Sequence, residues 1–419
     1  MRRISVCFLT LAVVSLLAST AVAQATLNTL LTFGQGSAYS GNSEANLIFD
    51  SAGNLYGTTG DSQPSSVFQL VPNGDGSWTE NVLWEGSGSG APWSVRPGVV
   101  FDTAGNLYAS SFQGGTYGCG TVFRITPNGD GSWSEQTLVN FACGKDGSNP
   151  VSGVTFDSAG NIYGTATQGG KTSCSSGCGV VYKLTPNGTS WTFSLIYGFT
   201  GGPDGAYPDH PYLIFDSAGA LYGVAAGGGK GSCASFKPGC GTVYKLTPNS
   251  NGSWTFHLLH SFTGGDDGGI PESTLLFDPS GNLYGTTEIG GKYGYGVAFE
   301  LIRQSNGSWS EKVLHAFRSY PDGANPWGGL IFDSAGNLYG STSDGGKDLC
   351  SYGGLGCGTI YELSPSASGE WTETVLVHLP DSSTNWPSND LVMDSEGNLY
   401  GTAAGYNTAS LGAIYEVVR

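Results

Sequence analysis

Short runs of alternating apolar and polar residues recur along the whole chain. In the unit that begins at Leu330 the runs are LIFD, NLYGST, TIYELSP and WTETVLVHL. Glycine and asparagine stand between the runs, as in Ser-Ala-Gly-Asn after the first run and in Asn73 to Gly76 of an earlier unit, where tight hairpins favour them. Helical periodicity is hard to find after Gln24, so the pattern predicts an all-β protein of four-stranded antiparallel units.

The same unit is repeated seven times. Its first motif, FDSAGNLYG, is found at Phe49 and again at Phe332, and related motifs complete the set. The seven copies begin at Phe49, Phe101, Phe156, Phe215, Phe277, Phe332 and Met393. Seven four-stranded units in a radial array predict a seven-bladed β-propeller.

The two ends of the chain are complementary. The seventh unit stops after its third strand, GAIYEVVR at Gly412 to Arg419, and lacks the tryptophan-bearing fourth strand. The segment ATLNTLLTF, Ala25 to Phe33, matches the fourth strand of the other units. We therefore expect the N-terminal strand to complete the last blade and to close the ring, which leaves no open sheet edge between the first and last blades.

These motifs resemble a known repeat. FDSAGNLYGTT at Phe49, a glycine-rich stretch, CGTVYKLTP at Cys240 and a strand of the form SWTxxVLHSF are similar to the GloVer tandem repeat of bacterial exported proteins, and more loosely to the NHL-type propeller repeat. The resemblance covers essentially the whole mature chain. It implies a propeller and no established activity. Some relatives carry a C-terminal surface anchor, whereas this chain ends in its last blade, so we expect free secretion.

The N-terminus predicts export. Arg2 and Arg3 precede an apolar run from Val6 to Ala18 and a small-residue exit, Ala21-Val22-Ala23, which together predict a signal peptide over residues 1–23 and a mature propeller over 24–419. The run is too short to span a bilayer, and no other stretch approaches that length. We therefore expect a secreted, extracytoplasmic protein without a membrane span.

The net charge of the chain disfavours some classes of binding partner. Without Arg2 and Arg3 the chain has 14 basic and 33 acidic residues, a net charge of −19. Such an acidic protein does not suit nucleic acid or anionic lipid. We expect a glycan or an extracellular protein as the partner, and a monomer.

One aspartate recurs at the first turn of every unit, from Asp50 to Asp394, with an asparagine four residues later in most units. We interpret it as the cap of a hairpin, accepting backbone N–H groups. A cation-binding loop, for Ca²⁺ for example, is the alternative.

Eight cysteines remain after signal cleavage, an even number that indicates disulfides in an exported chain. Three pairs lie in the loop between the second and third strands of their units, and the fourth pair joins a loop to the end of the next strand. The predicted pairs are Cys174–Cys178, Cys233–Cys240, Cys350–Cys357 and Cys119–Cys143. A zinc site is the alternative, which the lack of companion histidines disfavours.

The candidate binding surface is the face that carries these loops. One column, just before each innermost strand and beside the central channel, differs sharply between units. It holds Glu44, Arg96, Val151, His210, Glu272, Trp327 and Ser388, and Asn46, Tyr212 and Asp390 lie two residues later in their own units. A ligand site would need such asymmetry, although drift at a solvated loop would also produce it.

Trp93, Trp327 and Trp386 add aromatic rings near these carboxylates, which suits carbohydrate, although each lies beside a proline and could instead pack a blade seam. His260 and His315 share one position in the outermost strand with Trp84, Asn140 and Tyr197. We interpret that position as structural.

Two functions follow. The first is a secreted, non-enzymatic module that binds carbohydrate or a surface protein at the channel mouth without a cofactor. The alternative is an extracellular metal-dependent enzyme of the lactonase or polysaccharide lyase or hydrolase type. In that enzyme Glu44, Glu272 and Asp390 would hold a divalent cation such as Ca²⁺, and His210 would act as acid or base.

Overall fold

The chain forms seven four-stranded antiparallel sheets arranged as a propeller, as the repeats predict. The computed structural model describes residues 25–34, 45–60, 64–88, 90–209, 212–233, 238–347, 349–350, 355–387, 389–405 and 412–419. The predicted signal peptide lies outside these residues and stays a prediction. No helix among the described residues has the length and apolar character needed to cross a membrane.

The strands follow the order of the repeats. Strand β1 (Thr26–Thr32) belongs to the last blade. Blade 1 comprises β2 (Ile48–Phe49), β3 (Leu55–Thr59), β4 (Ser66–Pro72) and β5 (Trp78–Glu85). Blade 2 comprises β6 (Val100–Phe101), β7 (Leu107–Ser111), β8 (Thr121–Pro127) and β9 (Trp133–Asn140). Blade 3 comprises β10 (Thr155–Phe156), β11 (Ile162–Ala166), β12 (Val180–Asn187) and β13 (Ser190–Gly198).

The remaining blades repeat this pattern. Blade 4 comprises β14 (Ile214–Phe215), β15 (Leu221–Ala225), β17 (Thr242–Pro248) and β18 (Trp254–Ser261), and the short β16 (Gly228–Ser232) lies in its loop. Blade 5 comprises β19 (Leu276–Phe277), β20 (Leu283–Thr287), β21 (Val297–Arg303) and β22 (Trp309–Ala316). Blade 6 comprises β23 (Ile331–Phe332), β24 (Leu338–Thr342), β25 (Thr359–Pro365) and β26 (Trp371–His378). Blade 7 comprises β27 (Val392–Met393), β28 (Leu399–Ala403), β29 (Ala413–Val418) and β1. A 3₁₀-helix (Gly144–Asp146) follows β9.

Strand β1 closes the ring as predicted. It pairs antiparallel with β29, with Thr26 opposite Val418 and Thr32 opposite Ala413. A side-chain hydrogen bond from Asn28 Nδ2 to Glu416 Oε2, 2.9 Å long, adds to the ladder. The first and last strands of the described chain are therefore neighbours in one sheet.

Aromatic pairs fill the seams between blades. At six seams the repeated tyrosine of one blade meets the repeated phenylalanine of the next nearly edge to face, with centroids about 5 Å apart. The six pairs are Tyr400–Phe49, Tyr56–Phe101, Tyr108–Phe156, Tyr163–Phe215, Tyr222–Phe277 and Tyr284–Phe332. At the seventh seam Tyr339 packs in a cluster with Met393, which replaces the phenylalanine.

The repeated aspartate is the predicted hairpin cap. In blade 1, Oδ1 of Asp50 accepts the backbone N–H groups of Ala52 and Asn54, and Oδ2 accepts the Asn54 amide and the Tyr56 hydroxyl. Partial burial opposes ionisation of Asp50, but these hydrogen bonds outweigh it and lower the pKa of the carboxyl. Both carboxylate oxygens thus serve the turn.

All four predicted disulfides are present. Cys119–Cys143, Cys174–Cys178, Cys233–Cys240 and Cys350–Cys357 have Cα–Cα distances of 5.0 to 5.6 Å. Three of them lie between the second and third strands of their blades, and the fourth links that loop of blade 2 to the segment after β9. In an antiparallel blade these loops and the inter-blade loops share one face, hereafter the loop face, and the Asp-capped turns lie on the opposite face.

Candidate functional site

Seven residues surround the axis on the loop face, each three positions before the repeated phenylalanine or its equivalent. We call this set the hub. The hub consists of Asn46, Gly98, Gly153, Tyr212, Thr274, Gly329 and Asp390. Three of the seven hub residues are glycines, and others are as large as tyrosine. The large side chains of some blades therefore occupy the space that the glycines of other blades leave free.

Tyr212 uses that space across several blades. A Cβ atom built on Gly153 would lie 1.9 Å from the Tyr212 ring, so only glycine fits there. The Tyr212 hydroxyl donates to the backbone carbonyl of Pro97 in blade 2. Its backbone N–H donates to Thr274 Oγ1 in blade 5 at 3.3 Å. One side chain thereby ties blade 4 to blades 2 and 3.

Asp390 completes the hub from blade 7. Its Oδ1 accepts the backbone N–H of Gly329, and its Oδ2 accepts the Asn46 amide at 2.9 Å. Asn46 Oδ1 in turn accepts the Asp390 backbone N–H at 3.0 Å. Burial raises the pKa of the Asp390 carboxyl, against the opposing effect of hydrogen bonds from Thr274, Gly329 and Asn46. The carboxylate is engaged within the hub.

Other residues of the predicted channel mouth are spread around the ring. Glu44, His210 and Ser388 lie outside the described residues. Arg96 lies in blade 2, where its guanidinium covers the Phe112 ring at 5.0 Å and Nε donates to Ser94 Oγ. Trp93, also in blade 2, pairs its backbone with Gln113. Glu272 is half-buried before β19 of blade 5.

Two predicted residues do come together. The rings of Trp327 and Trp386 have centroids 6.1 Å apart and planes inclined by 30°. Both side chains are half-buried on the loop face, one before β23 of blade 6 and the other before β27 of blade 7. Nε1 of Trp327 has no hydrogen-bond partner among the described residues. Blade 1 separates this pair from Trp93 and Arg96.

The backbone around this tryptophan pair is firmly held. Trp386 has a positive φ of 61°, which its hydrogen bonds to Cys357 O and from Ala404 N stabilise. A small cleft beside its ring is lined by Asp344 and by the Cys350–Cys357 disulfide. Burial raises the pKa of the Asp344 carboxyl, and a hydrogen bond from Ser343 opposes that rise. An aromatic platform therefore stands on a rigid base near a partly buried acid.

The two histidines at the position interpreted as structural, His260 and His315, lie in clusters with acidic residues. At the seam between blades 4 and 5, His260 of β18 faces Asp267 of the following loop and Glu311 of β22. At the next seam, His315 faces Asp322 and Glu373 in the same arrangement. We call these the His260 cluster and the His315 cluster.

The strand register corrects one alignment made from the sequence. Val139, and not Asn140, is equivalent to His260, because Val122 pairs with Val139 where Val243 pairs with His260. The signal for the clusters was present in the repeats. Histidine precedes aspartate by seven residues in two successive units, and each following unit places glutamate two residues after its tryptophan.

Grooves also follow the seams on the face of the short turns. One of about 750 Å³ lies between blades 3 and 4, where Lys183, Asp216 and Trp254 contribute to its walls. Another of about the same volume lies between blades 1 and 2 beside Trp133. They recur with the repeated tryptophan and so belong to the blade geometry rather than to one site.

The comparisons with known proteins define the repeat and the fold. A family model described as the Gloeobacter/Verrucomicrobia repeat matches residues 59–237 and 232–418. A crystal structure of a protein from Lactobacillus plantarum matches in fold, with a TM-score of 0.50 and 13% sequence identity, over 85% of this chain and 97% of that chain. No curated protein sequence matches the chain.

Proposed function

Since the chain belongs to the Gloeobacter/Verrucomicrobia repeat family, and that repeat builds a β-propeller here, we propose that it is an extracellular interaction module that binds carbohydrate. The proposed site is the loop face of blades 6 and 7. The observation that carries the proposal is the Trp327–Trp386 pair, half-buried on that face with ring centroids 6.1 Å apart and planes inclined by 30°.

The chemistry of the pair suits sugar rings. The apolar C–H face of a pyranose stacks on an indole, and two neighbouring indoles offer a platform for adjacent residues of a chain. The Asp344 carboxyl beside Trp386 can accept a hydrogen bond from a sugar hydroxyl. A rigid backbone lowers the entropy lost on binding.

An extracellular location agrees with the eight paired cysteines and with the proposed signal peptide over residues 1–23. Disulfides form and persist in oxidising compartments and are rare in the cytosol.

Binding is favoured over catalysis at this face. The metal-dependent enzyme requires Asp390 to coordinate a cation with Glu44 and Glu272. Both oxygens of Asp390 instead accept hydrogen bonds from Gly329 and Asn46 within the hub. The described hub side chains leave no buried polar atom without a partner, so nothing in the hub requires a cation, and this supports a binding surface over the enzyme.

A glycan array screened with the chain from Gln24 to Arg419 tests the proposal, followed by titration calorimetry with the glycans that bind. We expect Trp327→Ala and Trp386→Ala each to weaken binding about tenfold or more, since loss of a stacked aromatic costs roughly 1–3 kcal/mol. Tyr117→Ala is the matched control, because Tyr117 is an exposed aromatic residue, 60% accessible, on the loop face of blade 2. An array without a bound glycan, or a folded double variant with unchanged affinity, overturns the proposal.

A further inference from the structure

The His260 and His315 clusters share one frame and differ in one charge. Each histidine lies on the outermost strand and packs against a phenylalanine two residues later, at 4.6 Å for His260–Phe262 and 4.8 Å for His315–Phe317. Each aspartate follows its histidine by seven residues, and each glutamate comes from the next blade. The two seams are therefore an internal comparison within one molecule.

The His315 cluster contains its own cation. Arg318 Nε lies 3.1 Å from Asp322 Oδ2, and His315 Nε2 lies 3.1 Å from the same oxygen. These contacts satisfy Asp322, whose side chain is only 2% exposed. The guanidinium balances one of the two carboxylates at this seam.

The His260 cluster has threonine at the position of that arginine. Thr263 donates its backbone N–H to Asp267 Oδ2 at 2.8 Å, and its hydroxyl donates to Oδ1. The cation next to this cluster, Lys230, has an exposed side chain and forms no ion pair among the described residues. Two carboxylates and an imidazole thus face one another without a bonded cation.

The spacing in the His260 cluster is wider than hydrogen bonds allow. Nε2 of His260 lies 3.7 Å from Asp267 Oδ2 and 3.8 Å from Glu311 Oε2. Nε2 of His260 is a buried atom without a hydrogen-bond partner, whereas Nε2 of His315 lies 3.1 Å from Asp322 Oδ2. The glutamate Oε1 is a buried atom without a partner in both clusters. The Glu311 side chain is 11% exposed. Buried polar atoms without partners are costly, so this gap requires an explanation.

A bound metal ion explains it. An ion 2.0–2.2 Å from nitrogen and oxygen ligands, with angles of about 110–120° between them, holds the ligand atoms about 3.4–3.7 Å apart. One imidazole and two carboxylates suit zinc or manganese, whereas calcium takes only oxygen ligands. We infer that His260, Asp267 and Glu311 bind one divalent transition-metal ion, which links blade 4 to blade 5 at the rim. Three protein ligands leave one position of a tetrahedral coordination sphere for a water molecule.

This inference is independent of the carbohydrate proposal, because the cluster lies at another seam from Trp327 and Trp386. The experiment uses the tag-free chain from Gln24, stripped with EDTA and dialysed, and titrates Zn²⁺ and Mn²⁺ by calorimetry with metal content measured in parallel. We expect one ion per chain. Glu311→Gln and His260→Gln should weaken binding roughly 100-fold, and His315→Gln and Glu373→Gln should leave it unchanged.

Exchanging the residue that distinguishes the clusters gives a sharper test. Thr263→Arg, which copies the His315 cluster, should abolish metal binding while the circular dichroism spectrum stays that of a folded protein. Arg318→Thr should raise the stoichiometry from one to two. The inference is overturned if the wild-type chain binds neither metal, or if folded Glu311→Gln and Thr263→Arg variants bind as tightly as the wild type.

Discussion

The backbone N–H of Gly329 in blade 6 donates to Oδ1 of Asp390 in blade 7 at 2.5 Å. A Cβ atom on Gly329 would lie 2.7 Å from that oxygen. The two residues occupy equivalent positions in neighbouring repeats, so the absence of a side chain in one repeat makes room for the side chain of another. The hub uses the same arrangement at Gly153 and Tyr212.

Gly153→Ala should destabilise the protein by roughly 3 kcal/mol, because the new methyl group overlaps the Tyr212 ring. In a Tyr212→Ala background the same change should cost little, since the overlap is gone. Urea unfolding of the four proteins measures the coupling. Gly129→Ala is the control, because a Cβ there meets no atom within 4 Å. Additive effects of the two hub changes would contradict this interpretation.

The Asp-capped turn of blade 4 predicts a compensating pair. Ala220 replaces the asparagine that donates to the capping aspartate in the other blades, and Lys245 Nζ donates to Asp216 Oδ2 at 3.1 Å instead. Lys245→Met should therefore lower the free energy of unfolding by about 1 kcal/mol, and Ala220→Asn should restore most of it. Thermal unfolding of the single and double variants tests this. If the double variant is no more stable than Lys245→Met, then Lys245 does not replace the asparagine as the hydrogen-bond donor to Asp216.

Stability should depend on pH through Glu373. Burial and the nearby Asp322 charge raise the pKa of Glu373 to about 7, while His315 and Arg318 oppose the rise. A carboxyl whose pKa is raised on folding reduces stability as pH rises from its unfolded value of about 4.3 to about 7. Glu373→Gln should therefore match the wild type at pH 5 and exceed it by roughly 1–2 kcal/mol at pH 8, after allowance for residual solvent exposure.

The control for this pH dependence is Glu135→Gln. Glu135 occupies the equivalent position of blade 2 and is exposed. Its substitution should change stability by a similar small amount at both pH values. A Glu373→Gln effect that is constant with pH, or larger at pH 5, would show that Glu373 ionises normally in the folded protein.

Removal of β1 should open the ring. A chain that begins at Gly34 loses the partner of β29 and the buried Phe33 side chain, which packs on Phe68. We expect this truncated chain to associate through the exposed edge of β29, and a synthetic peptide of residues 25–33 to restore a single species. Light scattering coupled to size exclusion distinguishes the two states. A monodisperse truncated chain with wild-type thermal stability would contradict closure by β1.

The fold could be predicted because its determinants recur in every unit. Strand order and the Asp-capped turns follow from residues that the seven copies share. The closing strand follows from the fourth strand that the last copy lacks and that the N-terminal segment supplies. The contact between Tyr212 and Gly153 follows no such rule, since it joins unlike residues of different units. An alignment of the repeats shows that the hub residues differ between units, but it does not show which of them are in contact.

The seam clusters were missed for a related reason. His260 and Glu311 belong to different units and are 51 residues apart in the sequence, so an alignment of the units shows the recurring spacing and not that the two side chains meet. Only the lateral packing of blade 4 on blade 5 brings them together. The Trp327–Trp386 contact could likewise be found only from the propeller structure, because the two residues occupy different positions in their repeats. Glu44 and His210 lie outside the described residues, and their roles stay predictions.

The pairing of Thr26 with Val418 sets a condition on biosynthesis. Strand β1 is synthesised before every other described strand and β29 after all of them, so a nascent chain that lacks β29 has at most six complete blades. Contacts of such long sequence separation form late, because a large chain entropy is lost before they contribute. The nascent polypeptide is therefore an open row of blades, and the closed disc can form only after β29 has been synthesised.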